Sequence, residues 1–108
     1  MERTVSDKLR RALNTAGSWF LLTQIELILD WTGENGLLVE TLYQKGFDRE
    51  INGTRIRVSA IRGLIQDGLL CAAIQHIRDS KSVNRQHPEA YQLAQDVLVR
   101  RFGLKENL

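Results

Sequence analysis

Apolar side chains recur at helical spacing through the first half of the chain. One run covers residues 5–16, and a second covers residues 24–32 after Thr23, which stands where a capping residue is expected. A third run covers residues 35–45, with Asn35 as its capping residue. The first half therefore predicts three amphipathic helices.

The middle of the chain contains one clear helix and one ambiguous segment. Residues 58–67 carry apolar side chains on one side of a helix, and a glycine follows as a stop. Residues 48–57 leave two alternatives open. The pair Asn52-Gly53 suits a tight β-turn within a short extended piece, whereas an earlier start of the helix would turn Arg57 toward the core.

The remaining residues predict a β-hairpin and a last helix. Residues 69–77 and 90–94 are interpreted as strands, because the first shows no helical stop and the second follows Pro88. A polar loop, residues 78–87, joins the two strands. Residues 95–102 are interpreted as an amphipathic helix that ends at a glycine.

Length and composition indicate one domain. The chain has 108 residues, of which 43% are hydrophobic, and this is enough to bury a single core. We expect one unit, residues 1–108. It is divided into a flanking helix (residues 1–17), a central core (residues 18–94) and a C-terminal helix with a tail (residues 95–108).

The sequence also predicts a cytoplasmic protein without a membrane partner. Its apolar runs are far shorter than the roughly 20 residues that a membrane-spanning helix needs, and residues 1–11 lack the apolar stretch of a signal peptide. The single cysteine, Cys71, has no partner for an internal disulfide. Nothing in this pattern indicates an oxidising compartment.

Charge is distributed unevenly along the chain, although the formal net charge is only +2. Residues 18–50 contain six acidic and two basic side chains, a net of −4, whereas residues 51–88 contain six basic and two acidic side chains, a net of +4. Of the 15 basic residues 11 are arginine, the type suited to bidentate contact with phosphate and guanine. The second half therefore favours an anionic partner.

Two segments resemble the winged helix-turn-helix superfamily of bacterial DNA-binding regulators. Residues 59–70 read Ser-Ala-Ile-Arg-Gly-Leu-Ile-Gln-Asp-Gly-Leu-Leu, which is similar to a recognition helix passing through a leucine-rich turn into the first wing strand. Residues 89–94 read Glu-Ala-Tyr-Gln-Leu-Ala, which is similar to the second wing strand. The resemblance covers roughly residues 23–102. It implies a mainly α fold with a small antiparallel β-hairpin (α+β), extended here by N- and C-terminal helices.

The chain departs from the superfamily at residues 46–57. This segment is about three times as long as the turn of three or four residues that joins the second and third helices of a compact helix-turn-helix. The insertion leaves the docking geometry of the recognition helix open.

The resemblance implies that a recognition helix and a basic wing contact DNA. At 100° per residue, four polar side chains around residues 55–66 fall on one stripe, and arginine and glutamine pair with guanine and adenine. The predicted wing adds basic side chains for phosphate contact. The alternative is an ordinary solvated helix face and hairpin tip. The candidate DNA-binding residues are Arg55, Ser59, Arg62, Gln66, Arg78, Lys81 and Arg85.

The residue types needed for catalysis or metal binding do not cluster in the sequence. His76 and His87 are eleven residues apart, with no cysteine pair or carboxylate cluster at metal-ligand spacing. There is no glycine-rich phosphate loop and no meaningful Ser-His-Asp spacing. Trp19 and Trp31 flank an apolar helix and are interpreted as core or dimer-interface residues, with a ligand pocket as the alternative. The sequence predicts no enzyme, no metal and no cofactor.

The sequence thus favours binding of double-stranded DNA, in the manner of a small transcriptional regulator. A second hypothesis is a winged-helix module that binds a protein partner in a phage-encoded or host-defence assembly, favoured by the acidic half and the inserted segment. We also expect a homodimer through the outer helices, residues 5–16 and 95–102, because half-site readers commonly pair.

Overall fold

Seven α-helices make up the part of the chain that the computed structural model describes, residues 2–104 for the backbone and 7–104 for the side chains. They are α1 (Glu2–Ala16), α2 (Ser18–Asp30), α3 (Asn35–Tyr43), α4 (Ile51–Gln66), α5 (Leu70–Arg78), α6 (Lys81–Gln86) and α7 (Ala90–Phe102). The described residues contain no β-strand. Within the same range, no helix has both the length and the apolar character that crossing a membrane requires.

The first strand of the predicted β-hairpin is wrong, because residues 69–77 are helical. The buried residues of α5 are Leu70, Ala73, Ile74 and Ile77. Their spacing of three, one and three is that of one helix face, whereas a half-buried strand buries every second residue. The helix starts at once because Gly68, with φ 71°, ends α4 and reverses the chain.

The predictions of the second strand and of the loop before it are also wrong, because both segments form helices. Residues 90–94 form the first turns of α7 and bury Ala90 and Ala94, four residues apart. The predicted polar loop contains α6, because the Ser80 hydroxyl accepts a hydrogen bond from the backbone N–H of Val83 (3.3 Å) and caps that helix. The α+β winged helix-turn-helix prediction is therefore wrong, and the described fold is all-α.

The helices predicted in the first half are present, but α2 and α4 begin earlier than predicted. Thr23, predicted to cap α2, lies inside that helix and its hydroxyl donates to the carbonyl of Trp19 (2.8 Å). Residues 51–57 of the ambiguous segment belong to α4, because Thr54 extends the buried face of this helix by one turn before Val58. The earlier start resolves the alternatives in favour of a helix.

One hydrophobic core runs through the described helices, with α2 at its centre. Helix α2 packs on α1, α5 and α7, while the most extensive helix pairs are α1 with α4 and α5 with α7. Each buried aliphatic or aromatic side chain stabilises the fold by roughly 1.5–3 kcal/mol. The largest fully buried side chains are Phe20, Leu21, Ile25, Ile28, Leu38, Val39, Leu42, Val58, Ile61, Ile74, Ile77 and Leu98.

Gly17 alone joins α1 to α2. Its φ of 82° favours glycine, and an added Cβ would collide with Nη1 of Arg57. We therefore expect Gly17→Ala to lower the free energy of unfolding by about 2 kcal/mol or more, measured by urea unfolding. Gly63→Ala is the control, because Gly63 lies inside α4 with open space around its Cβ. It should raise stability by up to about 1 kcal/mol, and equal effects of the two substitutions would contradict the prediction.

Candidate nucleic-acid interface

Four polar residues, here named the α4 stripe, line the solvent-facing side of α4. Arg55, Ser59 and Gln66 are exposed, and Arg62 is half-buried. Their spacing of three and four residues keeps all four within about 60° around the helix axis. The opposite side of α4 is buried in the core, so the stripe is fixed on the surface by the packing of the whole helix.

Helices α1 and α3 flank the α4 stripe. Nζ of Lys8 lies 3.8 Å from Oδ2 of Asp67, which places α1 along one side of α4. On the other side, Nε of Arg62 donates to Oδ1 of Asn35 in the first turn of α3 (2.7 Å). The stripe is therefore an open strip of surface between two neighbouring helices.

The two arginines of the stripe keep their positive charge uncompensated. Nη1 of Arg55 donates to Oδ1 of Asn52 (3.3 Å), and Arg62 donates to Asn35, so both described partners are neutral amides. Helix α4 contains no aspartate or glutamate. By contrast, four arginines elsewhere in the described residues bond to carboxylates: Arg57, Arg78, Arg100 and Arg101. The stripe thus presents two guanidinium groups that no carboxylate of the described residues pairs, side by side on one helix face.

The other candidate DNA-binding residues lie on α5 and α6. Arg78 ends α5, and its guanidinium donates to Asp79 (2.9 and 3.2 Å) and to Oε1 of Gln95 (3.0 Å). The hydrogen bond to Asp79 raises the pKa of Arg78 above its usual range. This charge is neutralised locally. Lys81 and Arg85 are exposed on α6.

The structure does not bring α6 onto the same face as the stripe. Helix α6 approaches α4 at Arg57, which lines a cleft together with Val83 and Gln86 of α6. Arg57 is two residues from both Arg55 and Ser59, so it projects from nearly the opposite side of α4. The four residues of the α4 stripe therefore form one surface, and α6 belongs to another.

Arg57 is a positioning residue that the DNA-binding prediction did not include. Its Nε donates to both carboxylate oxygens of Asp48 (3.0 and 3.1 Å), and its Nη1 donates to the carbonyl of Ala16 (2.6 Å). Asp48 also accepts a hydrogen bond from the buried hydroxyl of Thr54 (3.0 Å). This network ties the start of α4 to the α1–α2 junction and fixes the orientation of the helix that carries the stripe.

A second charged cluster ties α2 to α7. Glu26 accepts hydrogen bonds from Arg100 (3.1 and 3.0 Å) and Arg101 (3.2 Å), and Asp30 accepts two from Arg101 (2.9 and 2.7 Å). The bond from Arg100 lowers the pKa of Glu26, and the bond from Arg101 lowers the pKa of Asp30. The carboxylates of Glu26 and Asp30 are therefore paired with arginines of α7.

The lowered pKa values predict an acid-sensitive contribution to stability. The cluster stabilises the fold fully above the ordinary values of 4.5 for Glu26 and 3.8 for Asp30, and this contribution is lost as the pH falls through the lowered values. We expect the melting temperature of wild-type protein to fall more steeply than that of Arg101→Ala once the pH drops below about 5. Arg10→Ala, at an exposed site, should follow the wild type. Parallel curves for all three proteins would contradict the prediction.

Residues associated with catalysis are scattered. His76 is exposed, Cys71 is half-buried, and the ring of His87 stacks on Trp19 with 3.8 Å between centroids. Among the described residues, no three His, Cys, Asp or Glu side chains are grouped as metal ligands.

No protein-family model, no curated protein and no solved structure matches this chain. Its assignment to a class therefore rests on the described fold and surface. In the described residues these define a small all-α protein whose α4 stripe carries two arginines without a carboxylate partner.

Proposed function

We propose that this protein binds double-stranded DNA through the α4 stripe. The observation that carries the proposal is the pair of guanidinium groups, Arg55 and Arg62, which are exposed or half-exposed and have only neutral partners in the described residues. Uncompensated guanidinium groups attract the phosphate backbone and pair bidentately with guanine. Gln66 and Ser59 add groups that can reach adenine and phosphate.

The length of the α4 stripe fits a duplex. The stripe extends roughly 16 Å along the helix axis at 1.5 Å per residue. This length covers about five base pairs at 3.4 Å each. A recognition helix of this kind needs no wing, so the proposal does not depend on the absent hairpin.

A salt titration tests the proposal before any DNA site is known. The probe is a fluorescently labelled, random-sequence duplex of about 25 base pairs, and the readout is fluorescence anisotropy. We expect binding at 50 mM NaCl that weakens by about tenfold or more at 200 mM, because each phosphate contact contributes about −0.9 to the slope of log affinity against log salt. Absence of binding at 50 mM NaCl, or an affinity that does not change with salt concentration, would overturn the proposal.

A protein-binding module is the second candidate, and an exposed isoleucine favours it. Ile56 is 48% exposed, on α4 beside Arg55. An aliphatic side chain in that position would be covered by a protein partner, although a thymine methyl group would also cover it. The test is a pull-down with wild-type protein and with Ile56→Ser. A partner protein that binds in a stoichiometric amount, is not displaced by duplex DNA and is lost with Ile56→Ser would favour this candidate over DNA binding.

The homodimer stays a prediction. The apolar faces of α1 and α7, from which it was expected, are occupied inside the fold, since Leu13, Val97 and Leu98 are buried. The exposed apolar residues that remain on α7 include Leu93 and Val99, which lie about 120° apart around the helix axis.

A further inference from the structure

A cleft of about 370 Å³ opens on the side of α4 that faces away from the stripe. It lies between the α1–α2 junction, the loop that precedes α4, and α6. Its apolar wall contains Trp19, Phe20 and Phe47, and its polar wall contains Arg57, Gln86 and His87. Its volume lies in the range of roughly 300–1,000 Å³ that small-molecule sites have, and like them it places a few polar groups beside aromatic rings.

The guanidinium of Arg57 is held in a fixed orientation in this cleft. Asp48 holds Nε, the carbonyl of Ala16 holds Nη1, and Cζ lies 5.3 Å from the centroid of the Phe20 ring. Within residues 7–104, Nη2 has no hydrogen-bond acceptor. A donor that is already oriented loses little freedom when a ligand binds, which favours affinity.

The charges around Arg57 favour a singly charged ligand. Asp48 is paired with Arg57 at 3.0 Å, and their side chains are only 14% and 27% exposed. Because this carboxylate offsets most of the guanidinium charge, attraction to Arg57 repays little of the cost of removing water from an anion, and that cost is larger for a doubly charged phosphate than for a singly charged carboxylate. A carboxylate has one charge and forms one or two hydrogen bonds, which matches a single free nitrogen.

The aromatic wall favours a flat apolar body. Trp19 and His87 stack in parallel at 3.8 Å with an interplanar angle of 2°, and Phe20 meets Phe47 edge-on at 5.0 Å. Rings fixed in this way offer faces and edges on which another aromatic ring can pack.

We propose that this cleft binds a small aromatic carboxylate, with the carboxylate on Nη2 of Arg57 and the ring against Trp19 and Phe47. The site is independent of the α4 stripe, because Arg57 and the stripe lie on opposite sides of α4. It is a ligand site that the DNA-binding proposal does not require.

Titration of the wild-type protein with benzoate tests the site by two-dimensional 1H–15N NMR. We expect saturable shifts at the Trp19 indole N–H, the Arg57 Nε–H and the Gln86 side-chain amide. Three matched probes separate the interactions: benzyl alcohol has the ring without the charge, acetate has the charge without the ring, and inorganic phosphate has no ring and carries on average more than one negative charge near pH 7. Each should bind at least about tenfold more weakly than benzoate. Equal shifts with benzyl alcohol, or no saturable shift with benzoate at 10–20 mM, would overturn the proposal.

Charge variants of Gln86 test the location without disturbing Arg57. Gln86 is exposed and lines the cleft. Gln86→Glu should weaken benzoate binding by about threefold to fivefold, and Gln86→Lys should strengthen it by a similar factor, as expected for unit charges about 4 Å apart in water. Gln92→Glu and Gln92→Lys are the controls, since Gln92 is exposed on α7 outside the cleft lining. Equal effects at both positions would place the ligand elsewhere and refute the site.

Discussion

The Arg55→Glu Arg62→Glu variant is expected to bind duplex DNA at least about a hundredfold more weakly than the wild type. Loss of one bidentate arginine contact costs about 1–3 kcal/mol, and two losses at separate positions add approximately. Each reversal also places a negative charge against the phosphate backbone. If the two arginines contact phosphates instead of bases, the salt dependence should flatten, with the slope reduced by about 1 for each arginine. Anisotropy titrations at several salt concentrations measure both quantities.

The matched control is Arg10→Glu Arg85→Glu, which carries the same change in net charge, from +2 to −2. Arg85 is exposed on α6, and Arg10 is exposed on α1. Arg10 projects from the side of α1 opposite to Lys8, and hence away from α4, because two residues are separated by about 200°. The control should lose affinity by less than about tenfold. Equal losses in the two variants would show that net charge, and not the α4 stripe, determines binding.

The comparison of DNA affinities requires that the Arg55→Glu Arg62→Glu variant is folded. Arg55 bonds to Asn52 and Arg62 to Asn35, and both hydrogen bonds are exposed, so their loss should cost no more than about 1 kcal/mol. A melting temperature within a few degrees of the wild type confirms this. Replacement of Arg55 and Arg62 by lysine should restore nonspecific binding but not bidentate base contact.

Helical spacing was sufficient to predict the helices of the first half and to group the α4 stripe. It failed where a short helix and a buried strand have similar sequences. Residues 69–77 and 90–94 were read as strands, although Leu70, Ala73, Ile74 and Ile77 carry the helical repeat. The absence of a helical stop and an apparent alternation favoured a strand in the first segment, Pro88 favoured one in the second, and the composition around Ser80 favoured a loop where that residue caps α6. More weight on helical spacing and on the capping residue would have predicted α5 and α6.

The hydrogen-bond network around Arg57 could not be predicted from patterns within one segment of the sequence. Asp48 lies in the loop before α4 and is separated from Arg57 by nine positions, and Ala16 is separated from Arg57 by 41 positions. The bond from Arg78 to Gln95 likewise spans 17 residues. Contacts of this kind are set by how helices pack, which periodicity along one segment does not specify. The sequence therefore predicted which residues share the stripe, but not which arginines are neutralised by the fold.

Asp48→Ala is expected to have the largest effect on stability, lowering the free energy of unfolding by about 2–4 kcal/mol. Removal of this carboxylate leaves the guanidinium of Arg57 without its charged partner and the buried hydroxyl of Thr54 without its acceptor. An unpaired charge and an unsatisfied hydroxyl away from water both cost free energy. Urea unfolding measures the change.

Two further variants identify the cause of the Asp48→Ala effect. Asp48→Asn keeps one acceptor oxygen and should lose less stability than the alanine variant. Asp79→Ala removes an exposed partner of Arg78, 62% accessible, and should cost less than about 1 kcal/mol. An Asp48→Ala variant no less stable than Asp79→Ala would contradict the role assigned to the Arg57 network. In that case, the packing of α1 against α4 alone would hold the stripe in place.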